Sequence, residues 1–223
     1  MRILVSFLII LTIFIFNGCA KKEERPKVLE PKKEILASPV KKEVPFQRKG
    51  IEKILYAFEN DMHDWNIPDW ALEKEDYVAR NASLSKDFSK EGASSLKIDV
   101  DFPGKVWTTA LVEVMQYLDF SPYMEISCDI YLPKEAPVGL KAKLILTVGE
   151  NWKFTEMSRS IPLVPGEWTT VKANILSGSE DWKATVMDDG FRGDVRKIAI
   201  RVESNRSPVY KGPVYIDNIK VSN

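Results

Sequence analysis

The chain has 223 residues, of which 44% are hydrophobic, and it carries 32 basic and 32 acidic side chains. A chain of this length can bury the core of one domain and still leave segments outside it. The charge is uneven, because residues 20–50 hold ten Lys or Arg against five acids, whereas residues 51–223 hold 21 against 27. The acidic balance of the larger part argues against nucleic acid as a partner.

The chain opens with a short basic start and an apolar run from Ile3 to Phe16. This run is too short for a transmembrane helix and is typical of the core of a signal peptide. It ends in Gly18-Cys19, which resembles the lipobox of bacterial lipoproteins. The resemblance implies that residues 1–18 are a signal peptide and that Cys19 is lipidated. The protein is then extracytoplasmic and lipid-anchored in the cell envelope, at the outer membrane or the cell surface; an uncleaved anchor is the alternative.

Residues 19–50 are rich in Lys, Glu and Pro and show no sustained apolar period. They cannot bury enough surface to fold, so they are predicted to be a tether that follows the lipidated cysteine. The one other cysteine, Cys128, alternates with apolar residues on a predicted strand. With Cys19 acylated no intramolecular disulfide is available, and Cys128 is expected to be a small buried hydrophobe.

From Ile51 to the end, short alternating runs are separated by Gly, Pro, Asn, Asp and Ser, a pattern that predicts strands and turns. The predicted strands lie near 52–59, 70–78, 94–102, 106–115, 123–132, 141–149, 153–161, 167–174, 195–203 and 212–221. So many short strands, with no convincing amphipathic helix, predict that residues 51–223 form one all-β sandwich or barrel.

The last predicted strand holds a polar pair, Asp217-Asn218, inside an apolar run. Because Asp and Asn are depleted in strands, this carboxylate should have a partner. Residues 55–61 open the domain and also contain oxygen-bearing side chains. Two such stretches, on terminal strands that lie side by side, would suit a hard cation such as Ca2+.

Three segments together resemble carbohydrate-binding modules with the galactose-binding-like β-sandwich, or jelly-roll, fold, nearest to the mannan- and glucan-binding branches. They are Phe-Glu-Asn-Asp at 58–61, Lys-Glu-Gly-Ala-Ser-Ser-Leu-Lys-Ile at 90–98 and Tyr-Ile-Asp-Asn-Ile-Lys-Val at 215–221. The resemblance implies a structural Ca2+ held by Glu59 and Asp217, with backbone carbonyls from the loop at 90–92. The alternative is that these two carboxylates cap strand ends or pair with Lys or Arg.

Most predicted strands have one apolar face and one polar face with occasional aromatic residues. A polar face that carries Trp and Tyr suits sugar binding, because a flat ring covers the apolar C–H face of a pyranose while polar groups meet its hydroxyls. The resemblance implies that Trp65, Trp107 and Trp152 are the aromatic platforms, with Trp70 as the alternative to Trp65. Core or edge packing is the competing explanation for each ring.

Three polar side chains on the non-core faces are candidate partners for sugar hydroxyls: Glu113, Asp129 and Arg201. The sequence around the two remaining tryptophans does not predict contact with a ligand. Trp168, in a turn entering a strand, is expected to be structural, and Trp182 is expected to lie in a surface loop.

No catalytic motif is present, since the chain lacks a Gly-x-Ser-x-Gly sequence and a phosphate loop and contains His63 as its one histidine. The expected function is therefore non-catalytic: binding of a β-linked polysaccharide or oligosaccharide, without cleaving it. A structural or assembly lipoprotein that binds protein or peptidoglycan is the second hypothesis. A lyase or hydrolase is the third.

Overall fold

The computed structural model describes residues 50–183 and 189–223. The predicted signal peptide, the lipidation site at Cys19 and the tether up to residue 49 lie outside these residues. Among the residues that are described, no helix has the length and apolar character needed to cross a membrane.

The described residues form eleven strands and two short helices. In chain order these are β1 (Glu52–Tyr56), α1 (Asp69–Leu72), β2 (Ala79–Ser85), β3 (Ser95–Phe102), β4 (Trp107–Leu118), β5 (Glu125–Tyr131), β6 (Lys141–Val148), β7 (Lys153–Glu156), β8 (Ile161–Pro162), β9 (Trp168–Asn174), α2 (Asp189–Gly193), β10 (Val195–Asn205) and β11 (Tyr210–Ser222).

The strands form two antiparallel sheets. The six-stranded sheet has the order β2-β3-β11-β5-β9, with β1 also paired to β11. The five-stranded sheet has the order β4-β10-β6-β7, with β8 paired to β6. The first and last strands are therefore neighbours, as the sequence predicted.

The core lies between the two sheets, and the alternation of each strand explains which side chains enter it. Ile126 and Ile130 of β5 and Val112 and Val114 of β4 are all buried. Full burial of each such side chain contributes about 1.5–3 kcal/mol relative to exposure. The predicted all-β sandwich of the jelly-roll type is confirmed. Cys128 is also buried among these residues, and burial raises the pKa of its thiol.

Two strand predictions were wrong in detail. Residues 70–78 contain all of α1 except its first residue and an isolated pairing at Tyr77, and the regular strand β2 comes afterwards. That strand, Ala-Arg-Asn-Ala-Ser-Leu-Ser, is polar because it forms an edge of the six-stranded sheet. Residues 153–161 are divided into β7 and the start of β8, and Met157 between them donates its N–H to the Leu144 carbonyl and forms an isolated pairing with Trp182.

Candidate functional site

The outward face of the five-stranded sheet has an apolar floor. Leu111 of β4, Ala199 of β10 and Ile145 of β6 form a small buried cluster on this face, separate from the core between the sheets. Ala199 and Ile145 are direct cross-strand partners, and β10 also pairs with β4 on its other side. Apolar side chains on an outward face need a cover, and in this fold a loop supplies part of it.

The cover comes from the segment between β1 and β2, which runs along the edge of β4. Asn66 and Glu113 exchange two backbone hydrogen bonds of 3.0 and 2.9 Å, and the Val78 N–H donates to the Thr109 carbonyl at 2.7 Å. These bonds anchor the segment at two points. Between those points the segment carries α1 and the two rings described next.

Trp70 and Tyr77 lie on this anchored segment and pack edge to face, with ring centroids 4.9 Å apart. The Lys74 ammonium lies 5.0 Å from the Trp70 ring centroid, within the range of a cation–π contact. Trp70 remains 41% exposed, so one part of its ring stays available to a ligand.

These rings and the floor outline an open cleft, whose volume, with the solvent at its mouth included, is about 510 Å³. Phe154 of β7, which is well exposed, forms the opposite wall. The residues that line the cavity are mainly aromatic and aliphatic, with three charged side chains among them: Trp70, Tyr77, Leu111, Glu113, Ile145, Thr147, Phe154, Lys197, Ala199 and Arg201. An apolar cleft with a few fixed polar groups is the usual form of a small-ligand site.

The charged groups in the cavity are held by ion pairs. Lys197 contacts Glu113 with an N–O distance of 2.6 Å. Arg201 contacts Glu156 at 2.6 Å and Glu203 at 3.3 Å. Such pairing fixes the positions of the polar groups, so that they can meet the hydroxyls of a ligand without first being ordered.

Glu156 is the centre of the largest charge network on this face. Its carboxylate contacts Arg201, Lys183 and Lys143, the latter two at 2.5 and 3.6 Å. Burial acts to raise the pKa of Glu156, but the hydrogen bond from Lys183 and the charges of Arg201 and Lys143 lower it overall. The carboxylate therefore stays ionised and holds Arg201 in place.

Two of the three predicted platforms lie on the outward face. Trp107 begins β4 with 39% of its surface exposed, and the Arg201 guanidinium lies 5.8 Å from its ring centroid. Trp152, in the turn between β6 and β7, is 43% exposed. The predicted hydroxyl partners Glu113 and Arg201 line the cavity between them.

The prediction for Trp65 was wrong. Its side chain has no exposed surface, and its ring packs edge to face against Tyr56 and Phe58 in the main core. A ring with no exposed face cannot stack on a sugar. Trp70, which the sequence offered as the alternative, lines the cavity instead.

The prediction for Asp129 was also wrong, because β5 belongs to the other sheet. Asp129 is buried and accepts hydrogen bonds from Thr170 at 2.5 Å and from Asn218 at 3.1 Å. Trp182 differs from expectation as well, since it is buried and donates from its indole nitrogen to the Asn174 carbonyl.

Glu59 and Asp217 lie on either side of the loop at 90–93. Asp217 accepts backbone hydrogen bonds from Lys90 at 2.7 Å and Glu91 at 3.3 Å, and Glu59 accepts one from Ala93 at 2.9 Å. Burial raises the pKa of Asp217, the backbone donors oppose this, and the charge of Glu59 adds to the rise. The two carboxylates are thus close enough to affect one another.

Several features fit a cation at this position. Phe58 and Asn218, each next to one of the two carboxylates, have left-handed backbones with φ of 52°. A bulky residue in this region is strained, and such strain often marks a ligand site. The Asn218 Oδ1 atom is buried and has no hydrogen-bond donor. No cluster of three or more acidic, His or Cys side chains able to hold a metal is found within 50–183 and 189–223, so carbonyl oxygens would have to complete the shell.

Some site residues were missed by sequence reasoning although a signal was present. Tyr117 shares its strand parity with Trp107 and Glu113, and Phe154 shares parity with Trp152. Alternation alone would have placed these two rings on the outward face. Tyr77 gave no such signal, because its position depends on how a loop crosses the strand edge.

Several of the solved structures that are similar to this fold are carbohydrate-binding modules. One is CBM27-1 of Caldicellulosiruptor saccharolyticus in complex with mannohexaose, with 18% identity over 77% of this chain and 96% of that chain and a TM-score of 0.53. Another is CBM28, a non-crystalline cellulose specific module, with 16% identity over 74% of this chain and 92% of that chain and a TM-score of 0.55.

No family model and no curated protein matches the chain. The resemblance to carbohydrate-binding modules that was read from the three segments is confirmed at the level of the fold. A shared fold does not determine the ligand, which depends on the residues of the binding site.

Proposed function

We propose that this protein is a non-catalytic lipoprotein of the cell envelope that binds a β-linked polysaccharide or oligosaccharide of the mannan or glucan type. The site is the outward face of the five-stranded sheet, with Trp70, Trp107 and Trp152 as aromatic platforms. The observation that carries the proposal is the cavity between Trp70 and Phe154, where exposed rings stand over an apolar floor crossed by fixed ion pairs.

The chemistry of this face suits a neutral sugar. The rings can cover pyranose C–H faces, while the ammonium of Lys197, the carboxylate of Glu113 and the guanidinium of Arg201 are positioned for hydroxyl groups. If a platform removes ~100 Å² of apolar surface from water, it contributes ~2.5 kcal/mol at about 25 cal/mol/Å². The binding free energy from three platforms, less the free-energy cost of association, corresponds to an affinity in the micromolar to millimolar range.

The experiment that tests the ligand class is affinity electrophoresis of the full chain through gels containing mannans, glucans, xylans or galactans. Retardation by a mannan or glucan is expected, because the exposed rings can cover the C–H faces of their pyranose units. A folded protein that no polymer retards would contradict the proposal. Capture of an envelope protein or of peptidoglycan by the same folded protein would then support the assembly function.

We also propose that Glu59, Asp217 and carbonyl oxygens of the loop at 90–92 hold a structural Ca2+. The supporting observations are the two carboxylates that meet the same loop and the unpartnered, buried Asn218 oxygen. When bound, the ion would neutralise two carboxylates and connect the first and last strands through that loop. Its role would be in stability and not in contact with the glycan.

Addition of Ca2+ at 100 times its dissociation constant is expected to stabilise the domain by ~2.7 kcal/mol, or roughly 5–10 °C in Tm. Asp217→Asn should abolish this shift because it removes one anionic ligand, whereas the control Asp101→Asn, an exposed partner of Lys211, should retain it. Calorimetry in buffers with Ca2+ and with a chelator measures the shift in Tm for the native chain and for each variant. Equal melting temperatures of the native chain in the two buffers would contradict the calcium proposal.

The lipid anchor is proposed from the sequence around Cys19, which lies outside the described residues. Metabolic labelling with an alkyne fatty acid should label the native chain and leave Cys19→Ala unlabelled. Label that persists in Cys19→Ala would contradict lipidation at this residue.

A further inference from the structure

Three side chains stack at the end of the outward face that is remote from Trp107. Tyr117 lies near the end of β4, Trp152 in the β6–β7 turn, and Arg196 at the start of β10. The guanidinium carbon of Arg196 is 5.4 Å from the ring centroid of each aromatic residue. Tyr117 is 66% exposed, and none of the three lines the cavity beneath Trp70.

The backbone of β10 places Arg196 between the rings. The register of β10 shifts between Val195 and Lys197 against both β4 and β6, and relative to β6 the extra residue is Arg196. A bulge of this kind redirects a side chain and is typical of functional sites. Asp194 then fixes the guanidinium through two hydrogen bonds of 2.9 Å each. The hydrogen bond from Arg196 holds the pKa of Asp194 below its usual range.

Asp194 also holds the turn that carries Trp152. The Gly149 N–H donates to the Asp194 carbonyl at 2.8 Å, and the Trp152 N–H donates to the Gly149 carbonyl at 3.0 Å. Trp152 has a left-handed backbone with φ of 51°. A bulky residue keeps this unfavourable conformation only where its surroundings enforce it, and such residues concentrate at binding sites.

We propose that Arg196 is a positioning residue that holds Tyr117 and Trp152 as one rigid platform, and that Tyr117 thereby extends the subsite that Trp152 offers to the C–H face of a pyranose. The proposal rests on the proposed glycan-binding function. Ordering two free aromatic side chains on binding has a cost in conformational entropy. Arg196 removes that cost by holding both rings in position before the ligand arrives.

The subsite would serve a long ligand. Trp107 and Tyr117 are ten residues apart on β4, and a strand rises by ~3.4 Å per residue, so the two rings are on the order of 30 Å apart. The platform therefore contacts a different part of the glycan from the rings near Trp107, and Arg196 affects affinity through Tyr117 and Trp152.

A double-mutant cycle tests this coupling, with the full chain titrated calorimetrically with mannohexaose and cellohexaose. Arg196→Leu is expected to weaken binding by roughly 5- to 30-fold in the native background and by a clearly smaller factor in the Trp152→Ala background, where only Tyr117 is left for Arg196 to position. Arg196→Lys should restore part of the affinity. Arg159→Leu removes the same charge at an exposed position and should bind like the native chain. Equal losses in both backgrounds would overturn the proposal.

A second measurement does not require a ligand. In 5-fluorotryptophan-labelled protein, the ¹⁹F signal of Trp152 is identified by its loss in Trp152→Phe. Arg196→Leu should shift and broaden this signal while the signals of the buried Trp65 and Trp182 stay in place. An unchanged Trp152 signal would overturn the positioning role. If neither hexaose binds the native chain, the glycan function fails while the ¹⁹F result still decides whether Arg196 positions Trp152.

Discussion

Replacement of Trp65 by alanine is expected to lower the free energy of unfolding by about 3–5 kcal/mol, the range typical of a buried tryptophan or phenylalanine reduced to alanine. The reason is the position of the ring, which is fully buried and packed against Tyr56 and Phe58. Removing it leaves a cavity in the core, which the two sheets cannot close without moving. Urea unfolding followed by fluorescence measures the loss.

The matched control for this prediction is Trp70→Ala, five residues further along the same segment. Trp70 is partly exposed and packs on Tyr77, so its loss should cost about 1 kcal/mol of stability or less while weakening glycan binding. Native stability in Trp65→Ala, combined with lost binding, would contradict the assignment of Trp65 to the core.

The second large effect is expected on affinity. Trp107→Ala should weaken binding of the recognised glycan by roughly 70-fold, the equivalent of ~2.5 kcal/mol for the apolar surface that one platform covers. Stability should change little, because the ring is exposed on the outward face above Arg201. Isothermal titration calorimetry gives the affinity and thermal melting gives the stability.

Phe88→Ala is the control for Trp107→Ala, because Phe88 has a similar exposed fraction, 38%, but lies over the six-stranded sheet against Tyr131 and Tyr215. It should leave glycan affinity unchanged. A greater loss of affinity in Phe88→Ala than in Trp107→Ala would move the binding face to the other sheet.

The strands and their faces could be predicted because alternation is a local property. The even-numbered residues of β5, including Ile126 and Ile130, are buried as the pattern required. Asp129 was correctly predicted to point away from the core. Which sheet holds β5 is decided by its pairing with β9 and β11, and this pairing cannot be read from the strand's own residues.

The choice between Trp65 and Trp70 could not be made from the sequence for a related reason. Both lie in a segment without a repeating backbone, so no periodicity assigns either ring to a face. Their positions follow from the hydrogen bonds of Asn66 to Glu113 and of Val78 to Thr109, which join residues distant in sequence. Long-range pairing of this kind also explains why Tyr77 and the buried Trp182 were missed.

For the polar pair near the end of the chain, by contrast, the sequence alone predicted that the side chains need partners. Asp217 and Asn218 interrupt an apolar strand, and in the structure Asp217 accepts backbone hydrogen bonds from Lys90 and Glu91, while the amide nitrogen of Asn218 donates to Asp129. A carboxylate within a buried strand has to find donors or a cation, and this requirement was visible in the sequence.

The most direct test of the proposed binding face is a two-dimensional ¹H–¹⁵N NMR titration of the indole N–H signals with mannohexaose and cellohexaose. The six tryptophans report on separate places: Trp70, Trp107 and Trp152 on the outward face, Trp65 and Trp182 in the core, and Trp168 against Tyr131 on the six-stranded sheet. Glycan binding at the proposed site predicts shifts of the first three signals and constancy of the other three. A shift dominated by Trp168, or constancy of all six, would contradict it.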